Sequence, residues 1–231
     1  MHIKMKLKTS IVKISNIPFH VTEPASGLVT KAILLFPEAH GTTGHISDVA
    51  CRFARLGYKV FLYQLYYIQG KDVKFHLDPN DKETRDSLLQ NICPNTMIAD
   101  LRKTKDYFSQ FEHFSIVGFS IGGYFSILAS SVLNPQSVIA FYPNPTPNNF
   151  NYPFPVVTEY IPLIPKNSLL LFGENDHSIP ASEVELVRTL APQCKVVSYP
   201  KSQHGFFCNS RHTYNKNSAK DAWDRILKIL A

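Results

Sequence analysis

Residues 114–130 read FSIVGFSIGGYFSILAS. Phe114 to Gly118 has the solid apolar character of an inner strand, and Ile121 to Leu133 that of a helix. Gly118-Phe119-Ser120-Ile121-Gly122 therefore falls on the turn between them and satisfies G-x-S-x-G. A serine on a tight strand-to-helix turn has a strained backbone, and small neighbours let strand and helix approach closely. Its hydroxyl then stands clear at the carboxyl end of the strand. There it lies over the helix N-terminus, where unpaired N–H groups and the helix dipole favour an anion. The competing reading is a glycine-rich turn carrying an incidental serine.

Strand and helix signals alternate on both sides of this turn. Upstream, Lys31 to Phe36 is an apolar run ended by Pro37, the typical look of a strand buried on both faces. Ile46, Val49, Ala50, Phe53 and Ala54 recur at helical spacing and stop at Gly57, and Tyr58 to Tyr63 resumes as strand. Residues Asn95 to Phe111 read as helix. Downstream, Gln136 to Tyr142, Ser168 to Phe172 and Lys195 to Tyr199 read as strands, with a helix from Ser182 to Leu190. Ala219 to Leu230 closes the chain as an amphipathic helix with Trp223, Ile226, Leu227 and Leu230 on one side. Lys6 to Val21 reads as an antiparallel strand pair at a sheet edge, within an N-terminal segment 1–29. The whole implies one α/β domain over 1–231, with a mostly parallel sheet covered by helices on both faces. One stretch breaks the rhythm: 143–165 holds seven prolines and reads as a surface connection or a pocket wall.

Composition excludes several classes. Of 231 residues, 44% are hydrophobic and 18% charged, so the chain is not disordered. The net charge of +6 is spread along the chain rather than gathered in a basic stripe, which argues against nucleic acid. Cys51, Cys93, Cys194 and Cys208 form no CxxC pair and read as reduced thiols, not as a metal site or disulfide frame. No apolar run reaches the roughly 20 residues of a membrane span, and the basic N-terminus lacks a signal-peptide core. A cytoplasmic protein without metal or organic cofactor, monomeric or homodimeric, is expected.

A serine hydroxyl attacks only when a base takes its proton and a third group orients that base. Asp176, in LLLFGENDHSIP, and His204, in VVSYPKSQHGF, each sit just past the carboxyl end of an apolar strand. They follow Ser120 in the order serine, acid, histidine. Glu174 and His177 compete with Asp176, but Glu174 is too near the strand end to reach easily. His212 competes with His204, yet is placed near the start of the last helix, where a surface role fits better. Stabilising the tetrahedral oxyanion requires N–H donors. The Ile121 N–H is one. The loop PEAHGTTGH after Phe36 offers Ala39 first and Thr42 second, and His40 to Gly44 has the H-G-x-x-G form of many lipases and esterases. Glu38 and His40 are accessory candidates, or simply soluble loop residues.

In their order and wording these motifs resemble the dienelactone hydrolase (carboxymethylenebutenolidase) family of α/β-hydrolases. Glu38 matches the family's first-loop glutamate, Gly118 to Gly123 its G-x-C-x-G-G elbow, Gly173 to Asp176 its G-x-x-D turn, and His204 to Phe206 its H-x-F loop. The similarity runs from about residue 30 to the C-terminus, with Ser120 where the family usually has cysteine. It implies an α/β-hydrolase fold and cleavage of a small ester or lactone by Ser120, His204 and Asp176 through an acyl-enzyme. It also implies arginines for a substrate carboxylate, with Arg85 and Arg211 the nearest in position. Two other readings stay open: a general carboxylesterase or acyl thioesterase, and a non-catalytic binding protein on the same fold.

Overall fold

The apolar runs become the inner strands. In the computed structural model, which describes residues 5–72, 74–78, 80–145 and 154–231, six strands pair in parallel. These are β3 (Lys31–Phe36), β4 (Tyr58–Tyr63), β5 (His113–Phe119), β6 (Ser137–Phe141), β7 (Leu169–Gly173) and β8 (Lys195–Tyr199). Leu34, Leu35, Ile116, Val117, Ile139 and Leu170 on them are fully buried, which is why their sequences do not alternate. β1 (Leu7–Ile14) and β2 (Ile17–Pro24) form the expected hairpin. Its two-residue turn holds Ser15 and Asn16 at φ 49° and 70°, the left-handed pair that matches strand twist. β2 also pairs antiparallel with β4, giving eight strands in the order β1-β2-β4-β3-β5-β6-β7-β8.

Helices cover both faces of this sheet. α1 (Gly44–Ala54) starts on Thr43, whose hydroxyl accepts from the Ile46 N–H, and buries the five apolar residues expected of it. α7 (Lys216–Leu230) buries Ala222, Ile226 and Ile229, and Trp223 and Leu230 of the expected face pack half-buried against the core; the Trp223 ring lies 5.1 Å from that of Phe53. α6 (Ala181–Leu190) is tied to β8 by Arg188, which donates to the Val196 carbonyl at 2.8 Å. α5 (Ile121–Leu133) is buried nearly all round, because the sheet lies on one side and α3 (Pro94–Arg102) on the other.

The helices between β4 and β5 differ from those read in the sequence. The helix read over Asn95 to Phe111 is two: α3, then a four-residue α4 (Lys105–Phe108). Buried Thr104 turns its hydroxyl onto the Leu101 carbonyl at 2.7 Å. The Lys103 and Thr104 N–H groups tighten onto Asp100 and Leu101, three residues back. α2 (Lys82–Gln90) has no counterpart in the reading, since KETRDSLLQ buries only Leu88 and Leu89; Asp81 caps it by accepting from the Thr84 N–H at 3.0 Å. His212 is exposed but precedes α7 rather than starting it. Of the proline-rich stretch, 146–153 lies outside the described residues. The rest packs Phe154, Val157, Ile161 and Ile164 into the core, and the Tyr124 hydroxyl donates to the Pro155 carbonyl at 2.8 Å.

β5 hands over to α5 at the elbow. Ser120 has φ 56° and ψ −119°, a conformation that costs on the order of 1–3 kcal/mol. It persists because the Ser120 N–H donates to the Phe141 carbonyl at 2.9 Å, while its own carbonyl accepts from Gly123 and Tyr124. A Cβ on Gly118 would strike the Gly122 carbonyl, and one on Gly122 the carbonyls of Phe36 and Pro37. Strand, turn and helix can meet only with hydrogen at both sites. Gly122→Ala is therefore expected to lower stability by about 3 kcal/mol, read as a shifted urea midpoint at unchanged slope; a wild-type midpoint would contradict this close packing.

Candidate active site

The carboxyl ends of β3, β5, β6 and β7 converge on one cavity of about 180 Å³. Among its walls are Ser120 from the elbow, His204 from the loop after β8, Ala39 and Ile121, and both arginines singled out in the sequence, Arg85 and Arg211. Ser120 Oγ lies 2.8 Å from His204 Nε2, and His204 Nδ1 lies 2.7 Å from Asp176 Oδ2. Since a carboxylate only accepts, the proton between His204 and Asp176 belongs to Nδ1, leaving Nε2 to accept from the serine hydroxyl. The Asp176 side chain is 1% exposed, and its second oxygen accepts from the Ser178 N–H at 2.8 Å. Glu174 and His177 are both exposed.

Local chain geometry explains the meeting of Asp176 and His204. Asn175 N–H donates to the Ser202 carbonyl, and Glu174 N–H to that of Tyr199. A Cβ on Gly173 would collide with the Ser202 carbonyl, so a glycine ends β7 where the two loops touch. The first loop is equally determined. Thr42 N–H donates to the Phe75 carbonyl at 2.9 Å, which removes it as a cavity donor, whereas the Ala39 and Ile121 N–H groups have no acceptor among the described residues.

Two tyrosines that the sequence reading passed over support the site: Tyr142 lines the cavity, and Tyr66 holds the Ala39 loop. Tyr66 is fully buried and donates its hydroxyl to the Ala39 carbonyl, pinning that loop. Tyr142 follows β6 directly, with φ 40°, and its N–H donates to the Leu171 carbonyl at 2.6 Å. Its ring centre lies 4.7 Å from that of His204, and its hydroxyl donates to Glu38 at 3.3 Å. Burial, with Glu38 beside it, pushes the Tyr142 phenol well above its ordinary range, so it remains a donor. Position just past a strand end is the signal that could have found it.

Glu38 is buried and accepts from Arg211 Nη2 at 2.6 Å; the same nitrogen lies 3.1 Å from His40 Nδ1. Burial alone would lower the Arg211 pKa, but Glu38, Tyr142 and Cys208 outweigh it and raise it. His40 is held below the usual histidine value by burial first and then by Arg211; burial does the same to His45 against the opposing pull of Glu38. Among the described residues no cluster of His, Cys, Asp and Glu could hold a metal ion, and no helix is long and apolar enough to cross a membrane.

Residues 18–231 match the model of the dienelactone hydrolase family. A relative from Synechocystis, named "Putative carboxymethylenebutenolidase", is 26% identical over 240 residues, covering 96% of each chain. One of the same name from Escherichia coli K12 is 28% identical over 92% of this chain and 81% of its own. Among solved structures, a "Putative Dienelactone Hydrolase" from Klebsiella pneumoniae superposes with TM-score 0.83 over 97% of this chain and 98% of its own, at 24% identity. Est1E from Butyrivibrio proteoclasticus, solved with ferulic acid bound, gives 0.69 at 14% identity, covering 95% and 98%. At these identities the structures speak for the fold, which is that of the α/β-hydrolases.

Two stability results follow from the charges. Arg211→Gln leaves the Glu38 carboxylate buried without its cation and should cost about 3 kcal/mol. Glu38→Gln/Arg211→Gln should cost less than that single change; equal or greater loss in the double variant would deny the pair. The second concerns pH. The unfolded chain protonates its histidines near pH 6.5, whereas folded His40 and His45 resist, so stability is full above about 6.5 and falls as pH drops below it. Urea midpoints at pH 7.5 and 5.5 should show this decline, and His45→Gln should flatten it.

Proposed function

Because the chain belongs to the dienelactone hydrolase family, we propose that it is a serine hydrolase cleaving small carboxylic esters or lactones at Ser120. What supports this most is the unbroken line from Ser120 Oγ through His204 to Asp176, at 2.8 and 2.7 Å. His204 Nε2 takes the hydroxyl proton as Oγ attacks the carbonyl carbon, and the imidazolium formed is stabilised by Asp176. The developing oxyanion is received by the N–H groups of Ile121 and Ala39, fixed donors that need no reorganisation at the moment of reaction. His204 then returns the proton to the leaving alkoxide. Water, deprotonated by the same nitrogen, attacks the acyl-serine and regenerates Ser120.

The hydroxyl has its base in place before substrate arrives. A serine needs this more than a cysteine would, because an alcohol is not ionised near neutral pH and its deprotonation must accompany attack. Glu38 is engaged with Arg211 and Tyr142, so proton transfer runs through His204 alone. Ester or lactone cleavage, rather than binding without turnover, is favoured because no member of the serine–histidine–acid set is missing.

Purified protein should hydrolyse short p-nitrophenyl esters. Ser120→Ala should lower kcat by at least about 10³-fold, and Asp176→Asn by at least about 10²-fold, with KM little changed in both. Wild-type turnover by Ser120→Ala would remove Ser120 as the nucleophile.

A further inference from the structure

One face of α5 leads from the nucleophile to a second cavity. Ile121, Tyr124, Leu128 and Ser131 follow one another at intervals of three and four residues, so they form a single stripe along the helix. Ile121 and Tyr124 line the cavity at Ser120. Leu128 and Ser131 line another, of about 330 Å³, against the 180 Å³ of the first. Ile98 and Ala99 of α3 form its opposite wall, and Pro155 and Tyr160 close its side. Tyr124 and Leu128 stand four residues apart, about 6 Å along the helix axis. The two cavities are therefore neighbours on one stripe, with Tyr124 the last residue of the first.

Tyr124 touches both. Its side chain is fully buried, and its ring stacks on Phe154 with centroids 5.6 Å apart and meets the Phe125 ring edge-on at 5.1 Å. The hydroxyl at the far end of the ring donates to the Pro155 carbonyl at 2.8 Å, and Pro155 belongs to the second cavity. The side chain is also fixed. Turning the ring aside would break the bond to Pro155 and leave a buried hydroxyl unpaired, which is penalised by lost hydration. The acceptor does not follow, because Phe154 and Val157 on either side of Pro155 are themselves buried.

We infer that Tyr124 is the end wall of the acyl pocket, restricting the chain to short acyl groups, and that the cavity between α3 and α5 is the space a longer acyl chain enters once that wall is removed. This rests on the reading of Ser120 as the nucleophile. His204 returns its proton to the leaving group, so that group lies on the histidine side of Ser120. The acyl chain is left the side of Ile121 and Tyr124. A short chain ends against the ring; a longer one meets a close-packed side chain that cannot give way without strain. Beyond the ring, Leu128 and Ile98 continue the apolar lining.

The test compares p-nitrophenyl butanoate with p-nitrophenyl octanoate, both kept below micelle-forming concentrations. The wild-type chain should show kcat/KM at least tenfold higher for the butanoate. Tyr124→Ala should narrow that ratio at least fivefold, by raising the octanoate value. Ala99 is exposed on α3, and Ala99→Trp fills the second cavity from there. Added to Tyr124→Ala it should return the ratio to within twofold of the wild type, and alone it should change neither ester. If Tyr124→Ala does not fold, Tyr124→Val takes its place; should neither fold, the wild-type ratio decides. Equal or greater kcat/KM for the octanoate in the wild type, an unchanged ratio in the Tyr124 variant, or a ratio that Ala99→Trp fails to restore would overturn the inference while leaving the hydrolase reading intact. Hydrolysis of neither ester would overturn that reading, and this inference with it.

Discussion

The arrangement depends on one strained residue. Ser120 holds a left-handed φ of 56° that only surrounding contacts can enforce. From that conformation its oxygen points away from sheet and helix alike, toward His204 at 2.8 Å. The contacts that enforce it come from three segments: the Phe141 carbonyl at the end of β6, the Phe36–Pro37 backbone at the end of β3, and the first turn of α5. Sheet order, which sets β5 between β3 and β6, is thus a condition for the geometry of one side chain.

The same sheet end assembles the rest. Parallel strands deliver their carboxyl ends to one rim, so residues far apart in sequence meet if each lies just past a strand. Pro37 to His40 follow β3, Ser120 follows β5, Tyr142 follows β6, Asp176 follows β7 and His204 follows β8. Loop-to-loop bonds then remove the remaining freedom. Glu174 and Asn175 bind the His204 loop through its carbonyls, Tyr66 fixes Ala39, and Glu38–Arg211 joins the first loop to the last.

This explains what could be read before any coordinates. Inner strands such as β3 and β5 are legible because burial on both faces forces unbroken apolar runs. Ser120, Asp176 and His204 are legible because a glycine-flanked turn or a polar loop marks the end of each such run. α2 was not legible, since a helix that buries only Leu88 and Leu89 has almost no periodic signal. The break between α3 and α4 depends on the burial of Thr104, which its neighbours in sequence do not reveal. Tyr66 and Tyr142 look like ordinary core aromatics in the sequence; only the acceptors opposite their hydroxyls distinguish them. The pairing of Glu38 with Arg211 likewise belongs to the tertiary fold.

The serine's reactivity is the claim on which the chemistry stands, and covalent trapping tests it most directly. After treatment with a fluorophosphonate at pH 7.5, intact-mass and peptide analysis should find one phosphonyl group per chain, attached to Ser120, and none after urea unfolding before treatment. An unmodified Ser120 in the folded protein, or a phosphonyl group on another residue instead, would contradict the account.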